Sequence, residues 1–165
     1  MSPQEWNPVQ ARRQIDEFLE RLLNASCFDL DYEIREGGGL GEMISPELTV
    51  DFSGPDVELL LAQRGELLLA LEQLTLEALR VPHEARYKLI FDADDYRLLR
   101  IEELCLSARA AADKVKRTGS PFHFQPMSSR ERRIIHLALR EDEEVTTGSE
   151  GVAPRRHTVI YPRQS

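Results

Sequence analysis

Apolar positions change period several times along the chain, and each change predicts an element. Over residues 9–23, VQARRQIDEFLERLL, the positions Val9, Ile15, Phe18, Leu19, Leu22 and Leu23 recur at helical spacing. Residues 28–35 alternate instead, with Phe28, Leu30, Tyr32 and Ile34 on one side, as a half-buried strand requires. EGGGLGE (36–42) reads as a hairpin turn, and a second strand is expected near 45–52 with Leu48, Val50 and Phe52 on one face. Ser53-Gly54-Pro55 breaks it.

Residues 56–79 are leucine-rich, but Gly65 divides them, because glycine inside a helix is unfavourable by about 1 kcal/mol. The pattern predicts a short helix over 56–62, a tight turn through Gln63–Gly65 and a longer helix from Glu66 to Arg80. In that longer helix Leu67, Leu71, Leu74 and Ala78 are expected to fill one face, with Leu69 and Leu76 outside it as spare apolar surface. Pro82 ends the helix. RYKLIF (86–91) is expected as a third strand. A long helix follows over 95–117, with Leu98, Ile101, Cys105, Ala108, Ala112 and Val115 as its seam. Thr118-Gly119-Ser120-Pro121 stops it and is a candidate domain boundary. Ser128 with Glu131 three residues on is a capping-box signature, so a helix is expected over 129–141. HTVIYP (157–162) reads as a closing strand. The fold class is therefore α+β.

Charge changes this picture. The 165 residues carry a net charge of −8, but residues 116–165 hold nine Lys+Arg against six Asp+Glu, a net of +3, and the first 115 residues carry −11. The basic third contains RERRIIH (130–136). On a helix, Ile134, Ile135, Ala138 and Leu139 form the buried side. Arg132, His136 and Arg140, four apart, form a polar stripe flanked by Arg133. Arginine beside a histidine one turn later offers planar donors to a phosphate or a base edge. Positive neighbours disfavour protonation of that histidine. Taken alone, the same spacing also fits a solvated basic face.

The residues around this stripe carry a resemblance. Thr118-Gly119, Pro126-Met127, Glu131–His136 and Ser149-Glu150-Gly151 occur in the order found in the R-x-x-x-H (R-3-H) module of single-stranded nucleic-acid binders. Residues 116–162 look most like the module of the bacterial Jag/KhpB (SpoIIIJ-associated) family. The resemblance implies a ligand face at Arg132 and His136, with Arg155 and Arg156 adding phosphate contacts if their loop folds back. That family has a type II KH domain upstream, and the order predicted from 9 to 92, helix-strand-strand-helix-helix-strand, is similar to it. Ala62-Gln63-Arg64-Gly65 stands where KH domains carry G-x-x-G, so Gln63, Arg64 and Gly65 are candidate RNA contacts. Asp92, Tyr96, Arg97 and Arg100 resemble the family's D-x-x-G-Y-R-x-x-R region. Ala62 departs from the pattern: its methyl group is expected to restrict the turn and the approach of a sugar-phosphate chain. Relatives often begin with a further small domain and a charged linker, which this chain is expected to lack.

Other signals are set aside. GGGLG (37–41) lacks the Lys-Ser/Thr of a phosphate-binding loop. Asp92, Asp94 and Asp95 fit no calcium loop. His83, His123 and His157 are isolated in sequence, without zinc-ligand spacing, so no metal and no cofactor is expected. No catalytic constellation is evident; a nuclease using His136 lacks a second group. Cys27 and Cys105 fit reduced thiols, and neither a secretory leader nor membrane insertion is expected, so the cytoplasm is the expected location. The expectation is a KH type II-like domain over 9–117 followed by an R-3-H domain over 118–165. Its function is non-catalytic binding of single-stranded RNA, or of single-stranded DNA. The alternative is an interaction module whose KH half pairs with another KH protein or with itself.

Overall fold

The computed structural model describes residues 6–38 and 43–163. The tip of the expected hairpin turn, residues 39–42, lies outside the described residues. The chain divides into two compact units, 1–97 and 98–165. The long helix thus begins at the end of the first unit and lies mainly in the second, whereas the sequence pattern attaches it to the first.

In the first unit, α1 (Pro8–Ser26) starts where Asn7 accepts from the amides of Val9 and Gln10 at 3.0 and 3.2 Å, with Pro8 in the first turn. It ends at Cys27, which adopts a left-handed conformation (φ 59°). β1 (Asp31–Glu36) runs antiparallel to β2 (Leu48–Ser53), with Tyr32 opposite Phe52 and Ile34 opposite Val50. β3 (Leu89–Ala93) runs parallel to β2, with Val50 opposite Phe91. Between them, α2 (Val57–Ala78) is broken at residues 62–65 into two helical arms. The order helix, strand, strand, helix, helix, strand is therefore the one the pattern predicts.

Three expectations are corrected. Arg86-Tyr87-Lys88 belongs to a 3-10 turn, His83–Lys88, and the strand begins only at Leu89. Pro82 starts that turn, and Arg86 is held by the Val81 carbonyl and by Glu77. The buried face of α2 is Leu68, Leu71, Glu72, Thr75 and Leu76, while Leu74 is 48% exposed and Ala78 is also exposed. Leu76 is core, not spare surface. A charged residue on the buried face explains the misreading, because Glu72 breaks the apolar stripe. Its carboxylate accepts from Arg97 Nη2 at 2.6 Å and from the Phe91 amide at 2.9 Å, while Arg97 Nε donates to the Phe91 carbonyl at 2.9 Å. A buried ion pair is tolerated only when its remaining polar atoms are also satisfied. Here they tie the second arm of α2 to β3 and to the start of the long helix. The core around them is Ile15, Leu19, Val50, Phe52, Leu60, Leu68 and Phe91.

In the second unit, α3 (Tyr96–Thr118) buries Ile101, Leu104, Ala108, Ala111, Ala112 and Val115. Leu98, expected on this seam, is 41% exposed, and Leu104 and Ala111 take part instead. A three-stranded antiparallel sheet has the order β4 (Phe122–His123), β6 (His157–Pro162), β5 (Val145–Glu150). β5 is a strand that the apolar pattern does not predict. α4 (Ser129–Ala138) carries both bonds of its capping box, Ser128 to the Glu131 amide and Glu131 to the Ser128 amide. No described helix is long and apolar enough to cross a membrane.

Candidate nucleic-acid interface

α4 presents Arg132 and His136 one turn apart, and β5 supplies what they touch. Thr147 and Ser149 are two residues apart on that strand and so share one face. Arg132 Nη1 donates to Ser149 Oγ at 2.9 Å and Nη2 to Ser129 Oγ at 2.8 Å. His136 Nδ1 lies 2.6 Å from Thr147 Oγ1, and Nε2 lies 3.1 Å from Ser149 Oγ. Ser149 thus joins the arginine to the histidine. Every partner is a neutral hydroxyl. Among the described residues, no carboxylate pairs with Arg132, and its Nε is buried without a hydrogen-bond partner.

The electrostatics follow from that arrangement. Burial, and then the Arg156 guanidinium, lower the pKa of Arg132. Burial, and then Arg132, hold His136 below its ordinary value, so its imidazole is neutral at pH 7. The neighbouring acid is spoken for: Glu131 caps α4 and pairs with Arg100 at 2.8 Å. Burial raises Glu131, but the Ser128 amide and Arg100 outweigh it and hold the carboxyl low. The charge of Arg132 is consequently not balanced by an acid among the described residues.

The loop after β5 does fold back. The Met127 amide donates to the Arg156 carbonyl at 3.1 Å, which ties the Pro126-Met127 segment to the end of this loop. Gly151 adopts φ +81°, and a Cβ there would lie 3.0 Å from the Arg155 carbonyl, so only glycine makes this turn without strain. Arg155 and Arg156 are exposed on the loop, and Arg133 is exposed on α4. Arg140 leaves the stripe: α4 ends at Ala138, and Arg140 lies in the following turn, 3.5 Å from Glu141.

The first unit holds the other candidates. Gln63, Arg64 and Gly65 all take left-handed conformations, with φ of 52°, 64° and 70°. Gly65 is needed twice over, since a Cβ would come within 2.9 Å of the Tyr96 ring. Tyr96 also donates its hydroxyl to the Arg64 carbonyl. Gln63 and Arg64 are exposed at the tip. Ala62 has φ −54° and ψ 151°, ordinary extended backbone, so its methyl group does not strain the turn as expected. The residues resembling the D-x-x-G-Y-R-x-x-R region each have a structural task. Asp92 accepts from the Ala93 and Arg97 amides, Tyr96 packs on the turn, Arg97 pairs with Glu72 and Arg100 with Glu103 and Glu131.

Sequence reasoning missed Ser129, Thr147 and Ser149. The alternation in Thr147-Gly148-Ser149 was the available signal, hidden because these small polar residues read as a loop. It also missed that His123 and His157, far apart in sequence, face each other at 3.4 Å.

The R-3-H domain model matches residues 102–162, a span that includes most of α3. The chain is similar to the RNA-binding protein KhpB of Bacillus subtilis, 40% identical over 93% of this chain and 70% of that protein. It is also similar to the RNA-binding protein KhpB of Clostridium symbiosum, 33% identical over 87% of this chain. The chain covers 63% of the length of the latter protein. A KhpB of Streptococcus pneumoniae matches at 31% identity over 61% of this chain. With the Arg132–His136 stripe, its hydroxyl partners and the folded-back arginine loop all within the matched span, the chain belongs to the KhpB family.

Proposed function

We propose that the chain binds single-stranded RNA without catalysing a reaction on it, and that the Arg132–His136 face is its principal reader. The observation that carries this reading is the uncompensated pair of guanidiniums. Arg156 is close enough to lower the pKa of Arg132, and the bonds of Arg132 are to hydroxyls, not to an acid. An anion would balance that charge, and exposed Arg155, Arg156 and Arg133 extend it along a phosphate chain. Neutral His136, with both ring nitrogens engaged by Thr147 and Ser149, supports stacking of its ring on a base. The names of the Bacillus and Clostridium relatives support RNA as the ligand. The turn at Gln63–Gly65, in a unit read as a type II KH domain, contributes the exposed Arg64 as a secondary contact. The protein acts in the cytoplasm, in a regulatory role in RNA metabolism.

A second reading, pairing with another KH protein or with itself, is favoured by exposed leucines. Leu59 and Leu74 on α2 are 51% and 48% exposed, and Leu99 and Leu106 on α3 are 60% and 65% exposed. Backbone amide shifts on addition of a single-stranded RNA, with the DNA equivalent in parallel, separate these readings. The RNA reading predicts perturbation of Arg132, His136, Ser149, Arg155 and Arg156 beyond that of the Gln63–Gly65 turn. Absence of shifts, together with elution as a dimer, would replace it with the pairing reading.

A further inference from the structure

We propose that His123, Glu150 and His157 form a binding site for one divalent transition-metal ion of the zinc class. The three residues come from three adjacent strands. Glu150 on β5 is directly opposite His157 on β6, and His123 on β4 is opposite Val159, two residues along from His157. Paired residues and those two apart along a strand share a face, so the pleat gathers all three. Thr147 and Ser149, which touch α4, have the opposite parity to Glu150. The cluster therefore lies on the other face of the sheet from the Arg132–His136 stripe.

The distances suit a metal better than a hydrogen bond. His123 Nδ1 and His157 Nε2 are 3.4 Å apart, long for a hydrogen bond between ring nitrogens. Two imidazole nitrogens on a tetrahedral zinc, each about 2.0–2.1 Å from it, lie roughly 3.3 Å apart. One ligand atom from each of the three residues falls within 4.8 Å of the others, a spread that the flexible Glu150 side chain can close. Among the described residues this is the one group of three such side chains.

The surroundings orient two of the ligands. His157 Nδ1 lies 3.2 Å from the Arg155 carbonyl, so Nδ1 carries the proton and Nε2 presents its lone pair to the cluster. Tyr161 donates its hydroxyl to Glu150 Oε1, which leaves the second carboxylate oxygen for the metal. Such bonds from ligands to a carbonyl or a second polar group recur around protein-bound zinc. Two imidazoles and one carboxylate suit zinc and its first-row neighbours, whereas magnesium and calcium take oxygen ligands. His123 and Glu150 are exposed, so solvent can reach a fourth coordination position.

The test is calorimetric titration of the full chain with zinc chloride, repeated with cobalt(II) to record its visible absorption. The wild type should bind one equivalent, with a cobalt spectrum of nitrogen and oxygen ligands and no thiolate band. His123→Ala and His157→Ala should each weaken binding by at least about tenfold. Cys27→Ser and His83→Ala should leave it unchanged, and excess magnesium should not compete. His123 lies on a two-residue edge strand and is exposed, so His123→Ala keeps its fold and decides the matter if His157→Ala does not. No saturable binding, or binding that His123→Ala leaves unchanged, would overturn the proposal.

Discussion

Arg132 and Arg97 are both arginines on helices, yet their surroundings give them opposite work. Arg97 is 6% exposed and bonded to Glu72, so its charge is consumed inside the first unit. Arg132 meets hydroxyls only, so its charge remains available to an external anion. Removing one partner of a buried pair leaves the other charged and unsolvated, which typically costs about 3–5 kcal/mol. Glu72→Ala is therefore expected to destabilise the first unit by that order, read as a lower urea midpoint, while leaving the Arg132 face intact. A midpoint unchanged within experimental scatter would show that the pair contributes little. Only the Arg132 stripe was legible in the sequence. Glu72 sits within a leucine run and reads as a solvated residue until its face is known, whereas RERRIIH stood out by composition and family resemblance. The hydroxyls that complete the site, Ser129, Thr147 and Ser149, carry no such signal, because serine and threonine are common at helix starts, on strands and in loops.

At the scale of elements, α4 and β5 form the candidate interface together, and a titration reports on their union. Burial and Arg132 hold the folded pKa of His136 below the ordinary 6.5. The unfolded chain therefore takes up this proton first as pH falls. The stability linked to His136 is fully present above pH 6.5 and is lost as pH drops through the folded value. Proton-resonance titration of the histidines is expected to place the His136 midpoint below 6.5; a midpoint at or above it would mean that the ring is not held between Thr147 and Ser149. Elements with strong periodicity were legible beforehand. The Leu48-Val50-Phe52 face of β2 and the capping box at Ser128 were expected and are observed, and the α1 stripe is buried at Ile15 and Leu19, whereas Val9, expected on it, is 77% exposed. Those that failed were decided by nonlocal contacts. RYK has strand-like alternation, but Pro82 and the Arg86–Glu77 pair fold it into a 3-10 turn. Arg140 fits the stripe only if α4 continues, and α4 stops before it.

For the whole molecule, α3 decides where one unit ends. Thr118-Gly119-Ser120-Pro121 looks like a linker because glycine and proline cluster there, but a linker-like composition also suits a helix stop within a domain. Lys116 pairs with Asp142 at 2.7 Å, Arg100 pairs with Glu131, and Lys114 stands 5.6 Å over the Phe122 ring, so α3 is tied to the strands and helix that follow it. A fragment spanning 98–165 is expected to fold alone, with dispersed amide resonances, whereas 118–165 is expected to remain unfolded because it lacks α3. Folding of the shorter fragment would restore the boundary at 118.

The central claim is that the Arg132–His136 face reads single-stranded RNA, and an RNA titration at two salt concentrations tests it most directly. The proteins to compare are wild type, Arg132→Ala/His136→Ala and Arg155→Ala/Arg156→Ala, each shown to be folded. Each phosphate contact on a single strand contributes roughly 0.7 to the slope of log affinity against log salt. The account predicts salt-sensitive binding by the wild type, loss of that binding in the Arg132/His136 variant, and a slope reduced by about 1.4 in the Arg155/Arg156 variant. Equal binding by all three proteins, or no binding by the wild type at low salt, would contradict it.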